Sequence, residues 1–357
     1  MGIGVDTFAF HVTYTCPLAC AHCCFSSSPE QADTLDPAYI LAAIEELPED
    51  IELVAFTGGE PFLHGRNLVR YVEAAKRRGF QTRIVTSGHF ATSAKAAAFR
   101  LRPLADAGLD ELSISWDDYH EAFVPFERIR TLVEVASQYQ IQTAISSVQS
   151  NETKWTVDAI RAALGPLADG LRIVCESSLN MTGRAETALA DSTFKTNGFL
   201  GPCPYVLTGP TMSAKGKLLA CCGVIPDTDR LAIAASPLAK DIPALIEGSL
   251  SNPLYLYLYL RGPYFLMEQV AAKHGIPIPE KNAVGGNCEA CKLLFGLPEI
   301  DSRIDDYLRE KAVAILSEAL LLDSLDLLGR NRLLDLWQDE SLTRLDVASW
   351  PQAVPAA

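Results

Sequence analysis

The chain has 357 residues and a formal net charge of −14, with 48% hydrophobic and 21% charged residues. This composition is ordinary for a globular enzyme with one large core, or with one core and a smaller appended domain. A nucleic-acid partner would need clustered Lys and Arg, and the sequence has no basic block, so we expect none. We find no signal peptide, and the most apolar long stretch, 254–270, is interrupted by charges and proline. We therefore expect no membrane contact and a cytoplasmic location.

Apolar runs rich in β-branched and aromatic residues alternate with helical patterns in the first half of the chain. The predicted strands are Phe8–Tyr14, Glu52–Phe56, Thr82–Thr86, Glu111–Ser115, Gln142–Ser147 and Leu171–Cys175. The predicted helices are Pro37–Leu47, Asn67–Arg78, Ser93–Ala107, Phe126–Tyr139 and Thr156–Leu164. Such alternation predicts an α/β fold with parallel strands, either an open doubly wound sheet or a partial (β/α) barrel. In both folds, ligands bind at the carboxyl ends of the strands.

The alternation stops near residue 190. A Gly/Pro-rich segment, 198–210, leads to a predicted hairpin around 213–216, then to helices up to about 275. An amphipathic helical pattern covers 301–337. We therefore predict a core domain at 1–190, a smaller domain at 191–300 and a helical C-terminal extension at 301–357.

The first chemical motif is a cysteine cluster, CxxxCxxC, directly after the first predicted strand. Its cysteines are Cys16, Cys20 and Cys23. Three thiolates on one short loop can bind three irons of a [4Fe–4S] cluster and leave the fourth iron open. A zinc site is the alternative, and zinc would need a fourth ligand such as Cys24 or His22. The motif thus predicts a metal site at the end of this strand.

The second motif, Gly58-Gly59-Glu60-Pro61, follows the second predicted strand. Glycines let the backbone approach a ligand closely, and a carboxylate can bind an ammonium group, although the same residues also suit a plain turn. Downstream of CxxxCxxC, the motif resembles the methionine-binding element of the radical S-adenosylmethionine (SAM) superfamily. The two motifs together favour that superfamily over a zinc site, and the resemblance implies that SAM binds the open iron.

Polar residues also stand at the ends of other predicted strands. The further candidates for contact with SAM, besides Gly58, Gly59 and Glu60, are Ser87, Ser115, Asp117 and Arg184. The serines and the aspartate equally suit helix caps, and the arginine equally suits the protein surface.

A second set of cysteines also has metal-ligand spacing: Cys203, Cys221, Cys288 and Cys291. Four ligands suit one auxiliary [4Fe–4S] cluster or one structural zinc. The arrangement resembles the SPASM/twitch domains of radical SAM maturases, which implies a second [4Fe–4S] cluster. Cys222 directly follows a predicted ligand. We expect its free thiol to donate a hydrogen atom, and the alternative is a supporting or alternate ligand.

Five segments resemble the radical SAM peptide epimerases, which install D-amino acids in ribosomally made peptides. They are 16–29 (CPLACAHCCFSSSP), 56–63 (FTGGEPFL), 113–124 (SISWDDYHEAFV), 220–223 (ACCG) and 287–295 (NCEACKLLF). The resemblance implies a partial (β/α)6 TIM-type barrel with a twitch-like auxiliary domain and a helical tail. The run after Cys203 reads Pro-Tyr-Val-Leu and lacks the glycine and aspartate of the family's CPGYD.

The resemblance also implies a reaction and its partners. A radical derived from SAM removes a Cα hydrogen from a precursor peptide, and Cys222 returns hydrogen to the opposite face. The electron donor would be a protein such as flavodoxin or ferredoxin. The alternatives are a maturase that forms thioether or carbon–carbon crosslinks, a sugar or antibiotic epimerase, and a non-catalytic metal scaffold. Because the first predicted strand begins at Phe8, we expect no leader-binding domain before it.

Overall fold

The computed structural model describes residues 3–148, 153–176, 179–190, 199–224, 228–325 and 327–328. Its strands form one sheet: β1 (Thr7–Thr13), β2 (Leu53–Gly58), β3 (Gln81–Thr86), β4 (Glu111–Ser115), β5 (Gln142–Val148), β6 (Arg172–Glu176), β7 (Thr211–Met212), β8 (Lys217–Leu219) and β9 (Ala232–Ala235). The strand order is β6-β5-β4-β3-β2-β1-β7-β8-β9.

The order of β1 to β6 decides between the open doubly wound sheet and the partial (β/α) barrel, the two folds that the sequence pattern left open. Each of these strands pairs in parallel with the next strand along the chain. A doubly wound sheet would reverse its strand order at a switch point, whereas sequential order is typical of barrel-type winding. The predicted α/β fold class is confirmed, and the arrangement is a partial barrel of six strands.

Helices follow the strands and cover the sheet. They are α1 (Pro37–Glu46), α2 (Arg66–Arg77), α3 (Ala94–Asp106), α4 (Asp118–Glu121), α5 (Phe126–Gln138), α6 (Val157–Leu164), α7 (Ala185–Ala188), α8 (Ile242–Ser249), α9 (Pro253–Leu260), α10 (Pro263–His274), α11 (Asn287–Gly296) and α12 (Pro298–Ser324). Three of the helices predicted from the sequence begin where a short polar side chain accepts a hydrogen bond from the first turn: Asp36 before α1, Ser93 before α3 and Thr156 before α6. These caps explain why the predicted helix starts agree closely with the structure.

The chain after residue 199 extends the same sheet and then forms a helical layer. The predicted hairpin is confirmed, because β7 and β8 pair antiparallel through Thr211–Leu219 and Met212–Leu218. β7 also pairs with β1, where Ala9 lies opposite Thr211. The predicted C-terminal helix is α12, and the part of the prediction beyond residue 328 lies outside the described residues.

The described residues form two hydrophobic cores. The first contains the inward side chains of β1–β5 and the helices that cover them, with Phe8, Phe10 and Phe56 fully buried. The second is built from α9 to α12 and includes three of the second cysteine set. The domain boundaries at 190 and 300 stay a prediction. None of the helices that the structure describes is long and apolar enough to cross a membrane.

Candidate functional site

A cavity of about 290 Å³ lies at the carboxyl ends of β1 to β5 and is called here the strand-end cavity. The predicted site residues that line it are Cys16, Cys20, Cys23, Gly58, Gly59, Ser87, Ser115 and Asp117. They come from four different loops. Parallel strands bring their carboxyl ends to the same edge of a sheet, so side chains scattered over a hundred residues of sequence meet here.

The first three cysteines lie on the loop between β1 and α1. The amide of Cys23 donates to the carbonyl of Cys20 at 3.1 Å, and the amide of Ser27 donates to the Cys23 sulfur at 3.3 Å. Burial raises the pKa of Cys16 to about 12 and also raises that of Cys20. These thiols are therefore protonated at neutral pH, and a metal that binds them must displace their protons.

Arg184 fastens this cysteine loop to the segment after β6. Its Nη1 donates to the carbonyl of Cys20 at 2.8 Å, and its Nη2 donates to the carbonyls of Ser26 at 2.9 Å and Ser27 at 2.6 Å. The preceding Gly183 packs tightly, because a Cβ there would lie 2.3 Å from the carbonyl oxygen of Cys24. Arg184 lies beneath the loop and does not line the strand-end cavity, and its contact with SAM stays a prediction.

Gly58 and Gly59 are required by the packing of β2 against β1. A Cβ on Gly58 would lie 2.3 Å from the carbonyl oxygen of Thr13, and a Cβ on Gly59 would lie 2.3 Å from that of Thr15. Gly58 also has a φ of +119°, which L side chains rarely adopt. The glycines thus hold the metal loop close to β2 as well as lining the cavity.

Glu60 lies behind these glycines and is fully buried. Its carboxylate accepts hydrogen bonds from the Thr86 hydroxyl at 2.8 Å and from the Ser87 hydroxyl at 2.7 Å, and Nδ1 of His89 lies 3.3 Å away. Burial raises the pKa of Glu60, but the contacts with His89, Ser87 and Thr86 outweigh it and lower the pKa overall. The carboxylate links β2 to β3, and its contact with a SAM ammonium group stays a prediction.

Asp117 lies at the end of β4 and contacts two histidines that the sequence analysis did not assign to the site with it. Its Oδ1 accepts from Nδ1 of His120 at 2.9 Å, and its Oδ2 lies 3.3 Å from Nε2 of His22 and accepts from the amide of Val148 at 3.3 Å. Burial raises the pKa of Asp117, but His120 and His22 outweigh burial and hold it well below its usual range. This ionised carboxylate connects the cysteine loop with the ends of β4 and β5.

The second cysteine set lies at the second core, on three separate segments. Cys203 precedes β7, Cys221 follows β8, and Cys288 and Cys291 are on α11. Burial raises the pKa of Cys291, and the nearby Cys203 and Cys222 raise it further. The structure therefore brings the four predicted auxiliary ligands together.

Cys222 belongs to the same group of thiols. Its side chain hydrogen-bonds with those of Cys221 and Cys288. It does not line the strand-end cavity, although Val224, two residues later, does. Cys222 is thus a fifth cysteine at a site where four would fill one cluster, and its role as hydrogen donor stays a prediction.

A larger cavity of about 690 Å³ adjoins the strand-end cavity and is called here the adjoining cavity. The two share Cys24, Phe25 and Val224 in their walls. Lys292 of α11 and Glu186 of α7 also line the adjoining cavity and form an ion pair of 2.7 Å. This space therefore lies where the helical layer faces the cysteine loop.

Residues 10–162 match the Radical SAM superfamily. This segment is a radical SAM domain. The match covers the CxxxCxxC loop and the strands β1 to β5 that surround the strand-end cavity, and it ends before the second cysteine set.

Two curated relatives match part of this chain. YydG of Bacillus subtilis (strain 168), named for peptide biosynthesis, is 30% identical over 135 residues, or 37% of this chain and 42% of that protein. PqqA peptide cyclase of Rhizobium meliloti (strain 1021) is 33% identical over 108 residues, or 29% of this chain and 27% of that protein. The chain spans less than half the length of each of these relatives.

Solved structures also align with this chain at low sequence identity. The structure of anSMEcpe with AdoMet and a peptide bound has a TM-score of 0.49 and 12% identity, and the alignment covers 89% of this chain and 99% of that one.

The residues around the strand-end cavity fit the cofactors of a radical SAM domain. Three thiols provide soft ligands for an iron–sulfur cluster. Three buried polar atoms in the wall have no hydrogen-bond partner in the described part of the chain, namely His22 Nδ1, Ser27 Oγ and Ser147 Oγ. Because unpaired buried polar groups are costly, these atoms indicate that a polar ligand such as SAM belongs in the cavity.

The spacing of the cysteines also bears on the choice between a cluster and zinc. Within the described ranges, three possible ligand side chains have ligand atoms that all lie within 4.8 Å of one another. They are His22, Asp117 and His120. Thiolates on one tetrahedral zinc would be about 3.8 Å apart. Neither cysteine set forms so tight a group within the described ranges, and the choice between a cluster and zinc stays a prediction.

Ser27 within the cysteine loop and Ser147 near the end of β5 line the cavity wall but were not predicted from the sequence. The rule that ligands bind at strand ends applies to Ser147 as much as to Ser115, and it provides the signal for this residue. His120 ends the run 115–120 that follows the same strand end as Ser115, and its hydrogen bond with Asp117 brings it to the cavity wall.

Proposed function

We propose that this chain is a radical SAM enzyme that converts an L- to a D-amino acid in a ribosomally made peptide. The observation that carries the proposal is a fifth cysteine, Cys222, beside four other thiols, three of them in the second core, next to a radical SAM domain. The names of YydG and PqqA peptide cyclase support a peptide as the substrate class. The adjoining cavity of about 690 Å³ offers room for a peptide segment beside the cysteine loop.

In this proposal, two sets of residues hold the cofactors. Cys16, Cys20 and Cys23 would hold one [4Fe–4S] cluster, and the polar atoms of the strand-end cavity would bind SAM. When bound, the cluster and SAM supply a carbon radical able to remove a hydrogen atom from a substrate carbon. Cys203, Cys221, Cys288 and Cys291 would hold the auxiliary [4Fe–4S] cluster, within a domain that we place at residues 191–300.

Cys222 completes the reaction. The peptide radical at Cα is planar, so the face that receives hydrogen determines the configuration. Transfer of the hydrogen atom breaks the S–H bond, forms a C–H bond and leaves a thiyl radical on Cys222. One electron, from a donor such as flavodoxin or ferredoxin, and one proton restore the thiol. The chain's contribution is to hold Cys222 on the face opposite the radical source.

A crosslinking maturase is the second candidate, and one observation favours it. The Cys222 thiol hydrogen-bonds with Cys221 and Cys288 and does not line the strand-end cavity. In this position it equally suits a supporting or alternate ligand of the auxiliary cluster. A crosslinking enzyme would remove hydrogen from the peptide without returning it.

Mass spectrometry of a candidate precursor peptide tests the proposal. The peptide is incubated in heavy water with reduced, cluster-loaded enzyme and SAM, and the products of wild type and Cys222→Ala are compared. We expect uptake of one deuterium per modified residue by wild type, loss of this uptake in Cys222→Ala, and continued SAM cleavage in both. A peptide lighter by two hydrogens and free of deuterium would overturn the proposal in favour of crosslinking.

A further inference from the structure

Three aromatic rings pack together, and one of them, His11, lies against the backbone next to Cys222. His11 is on β1, Tyr14 follows β1, and Phe25 is on the cysteine loop. The ring centroids of His11 and Phe25 are 4.6 Å apart, those of Tyr14 and Phe25 are 5.4 Å apart, and those of His11 and Tyr14 are 5.7 Å apart. His11 is only 1% exposed, so its ring nitrogens need partners inside the protein.

The position of His11 follows from the alternation of β1. Phe8, Phe10 and Val12 are fully buried and face the first core. Successive side chains of a strand point to opposite faces, so His11 points away from that core. On this other face it meets the segment Cys222–Gly223.

His11 joins Tyr14 to the backbone of Cys222. Nδ1 of His11 lies 3.0 Å from the Tyr14 hydroxyl. The ring also lies against the backbone of Cys222 and Gly223. Burial lowers the pKa of His11 to about 4 despite the opposing effect of Cys222, which keeps the ring neutral.

The backbone after Cys222 rests directly on the His11 ring. A Cβ on Gly223 would lie 2.7 Å from Cε1 of His11 and 3.4 Å from Nε2, and Gly223 has a φ of +73°. Only glycine permits this approach without strain. The ring therefore fixes the backbone from which the Cys222 side chain extends.

We propose that His11 is a positioning residue for Cys222: its ring packs against the backbone of Cys222 and Gly223, and this contact sets where the thiol lies. The inference rests on the proposed function, in which Cys222 returns hydrogen to the peptide. Hydrogen transfer depends steeply on distance, and a misplacement of about 1 Å costs on the order of a hundredfold in rate. Loss of the contact therefore separates radical formation, which does not involve Cys222, from hydrogen return, which does.

A pair of substitutions tests the contact. Gln places its side-chain nitrogen close to the position of histidine Nε2, whereas Asn places its amide close to Nδ1. His11→Gln should keep the contact with Cys222, and His11→Asn should keep only the contact with Tyr14. Tyr14→Phe provides a third variant that removes the Tyr14 contact alone.

The primary measurement is the ratio of deuterated peptide to 5′-deoxyadenosine in heavy water, with cluster-loaded enzyme. We expect His11→Asn to lower this ratio by about tenfold to a hundredfold, with His11→Gln close to wild type. Hydrogen-exchange mass spectrometry of the same holoenzymes is a second measurement that does not depend on turnover. Amides at 221–224 should exchange faster in His11→Asn than in His11→Gln or wild type.

The outcomes separate this inference from the proposed function. If wild type takes up deuterium through Cys222 and His11→Asn behaves like wild type, the positioning role is overturned and the proposed function stands. If wild type takes up no deuterium, the proposed function fails, and unchanged exchange at 221–224 in His11→Asn would overturn the His11 contact as well. Loss of auxiliary iron in both His11 variants, with Tyr14→Phe unaffected, would assign His11 to cluster support and also overturn the inference.

Discussion

Arg184 offers the sharpest test of how the cysteine loop is held. Its guanidinium donates to the carbonyls of Cys20, Ser26 and Ser27, all on the loop that carries the first cysteine set. Hydrogen bonds that involve a charged group contribute about 1.5–3 kcal/mol each. The three bonds share one partly exposed side chain and do not add fully, so we expect Arg184→Ala to lower the free energy of unfolding by about 3 kcal/mol.

A matched control exists elsewhere in the chain. Arg78 also donates to three backbone carbonyls, those of Ile44, Glu45 and Leu47 at the end of α1. Arg78→Ala should therefore cost a similar free energy of unfolding, by the same argument, without disturbing the cysteine loop. The two variants separate general destabilisation from loss of the metal site.

The assay combines urea denaturation of the metal-free proteins with iron and sulfide analysis after anaerobic cluster loading. We expect both variants to be less stable than wild type, and only Arg184→Ala to bind less iron at the first site. Arg184→Lys should lie between wild type and Arg184→Ala, because an ammonium group cannot reach all three carbonyls. If Arg184→Ala retained as much iron as Arg78→Ala, the loop would be held by other contacts and the argument would be refuted.

Three other predictions address packing, pH and metal. Gly59→Ala should lower the free energy of unfolding by about 3 kcal/mol in a urea titration, because its Cβ would lie 2.3 Å from the Thr15 carbonyl oxygen. Gly4→Ala is the control and should leave the free energy of unfolding unchanged, because nothing lies within 4 Å of a Cβ at that position. Burial raises the pKa of Asp110, but hydrogen bonds from Lys76 and Thr82 outweigh burial and lower this pKa below its usual value of 3.8. The Asp110 carboxylate therefore stabilises the fold above pH 3.8, and this stabilisation is lost as the pH falls through the lowered pKa. Wild type should thus be more stable than Asp110→Asn at pH 6 to 7, with the difference shrinking below about pH 4 in thermal unfolding; a constant difference would contradict this. Removal of iron by a chelator should increase hydrogen exchange in α9 to α12 more than in β1 to β6, because three of the second cysteine set lie in the core of those helices. A uniform increase would argue against an auxiliary cluster at that core.

The helix starts and strand ends could be predicted because each depends on adjacent residues. Asp36, Ser93 and Thr156 accept hydrogen bonds from the first turns of their own helices, and such caps are readable from local sequence. Ser115 and Asp117 directly follow a buried strand, and that position alone places them at the strand-end cavity.

Other site residues depend on partners that are remote in sequence. Glu60 stays a predicted partner of an ammonium group, and its carboxylate also contacts Thr86 at the end of β3 and Ser87 just after it. Arg184 stays a predicted contact of SAM, and its guanidinium also bonds with the Cys20 carbonyl 164 residues earlier. The direction in which a polar side chain points is set by the donors and acceptors around it, and those come from other parts of the fold.

The spacing of the cysteines and the glycines after the second strand were sufficient to indicate a radical SAM domain, because cluster ligands must lie close together on one short loop. The alternation of strands and helices determined the α/β class, since a parallel sheet needs a crossover after each strand. Only the tertiary structure decided the sequential strand order, the tethering of the cysteine loop by Arg184, and the burial of His11 against the backbone of Cys222. Each of these depends on contacts between distant segments, which form only when the sheet and the helical layer pack together.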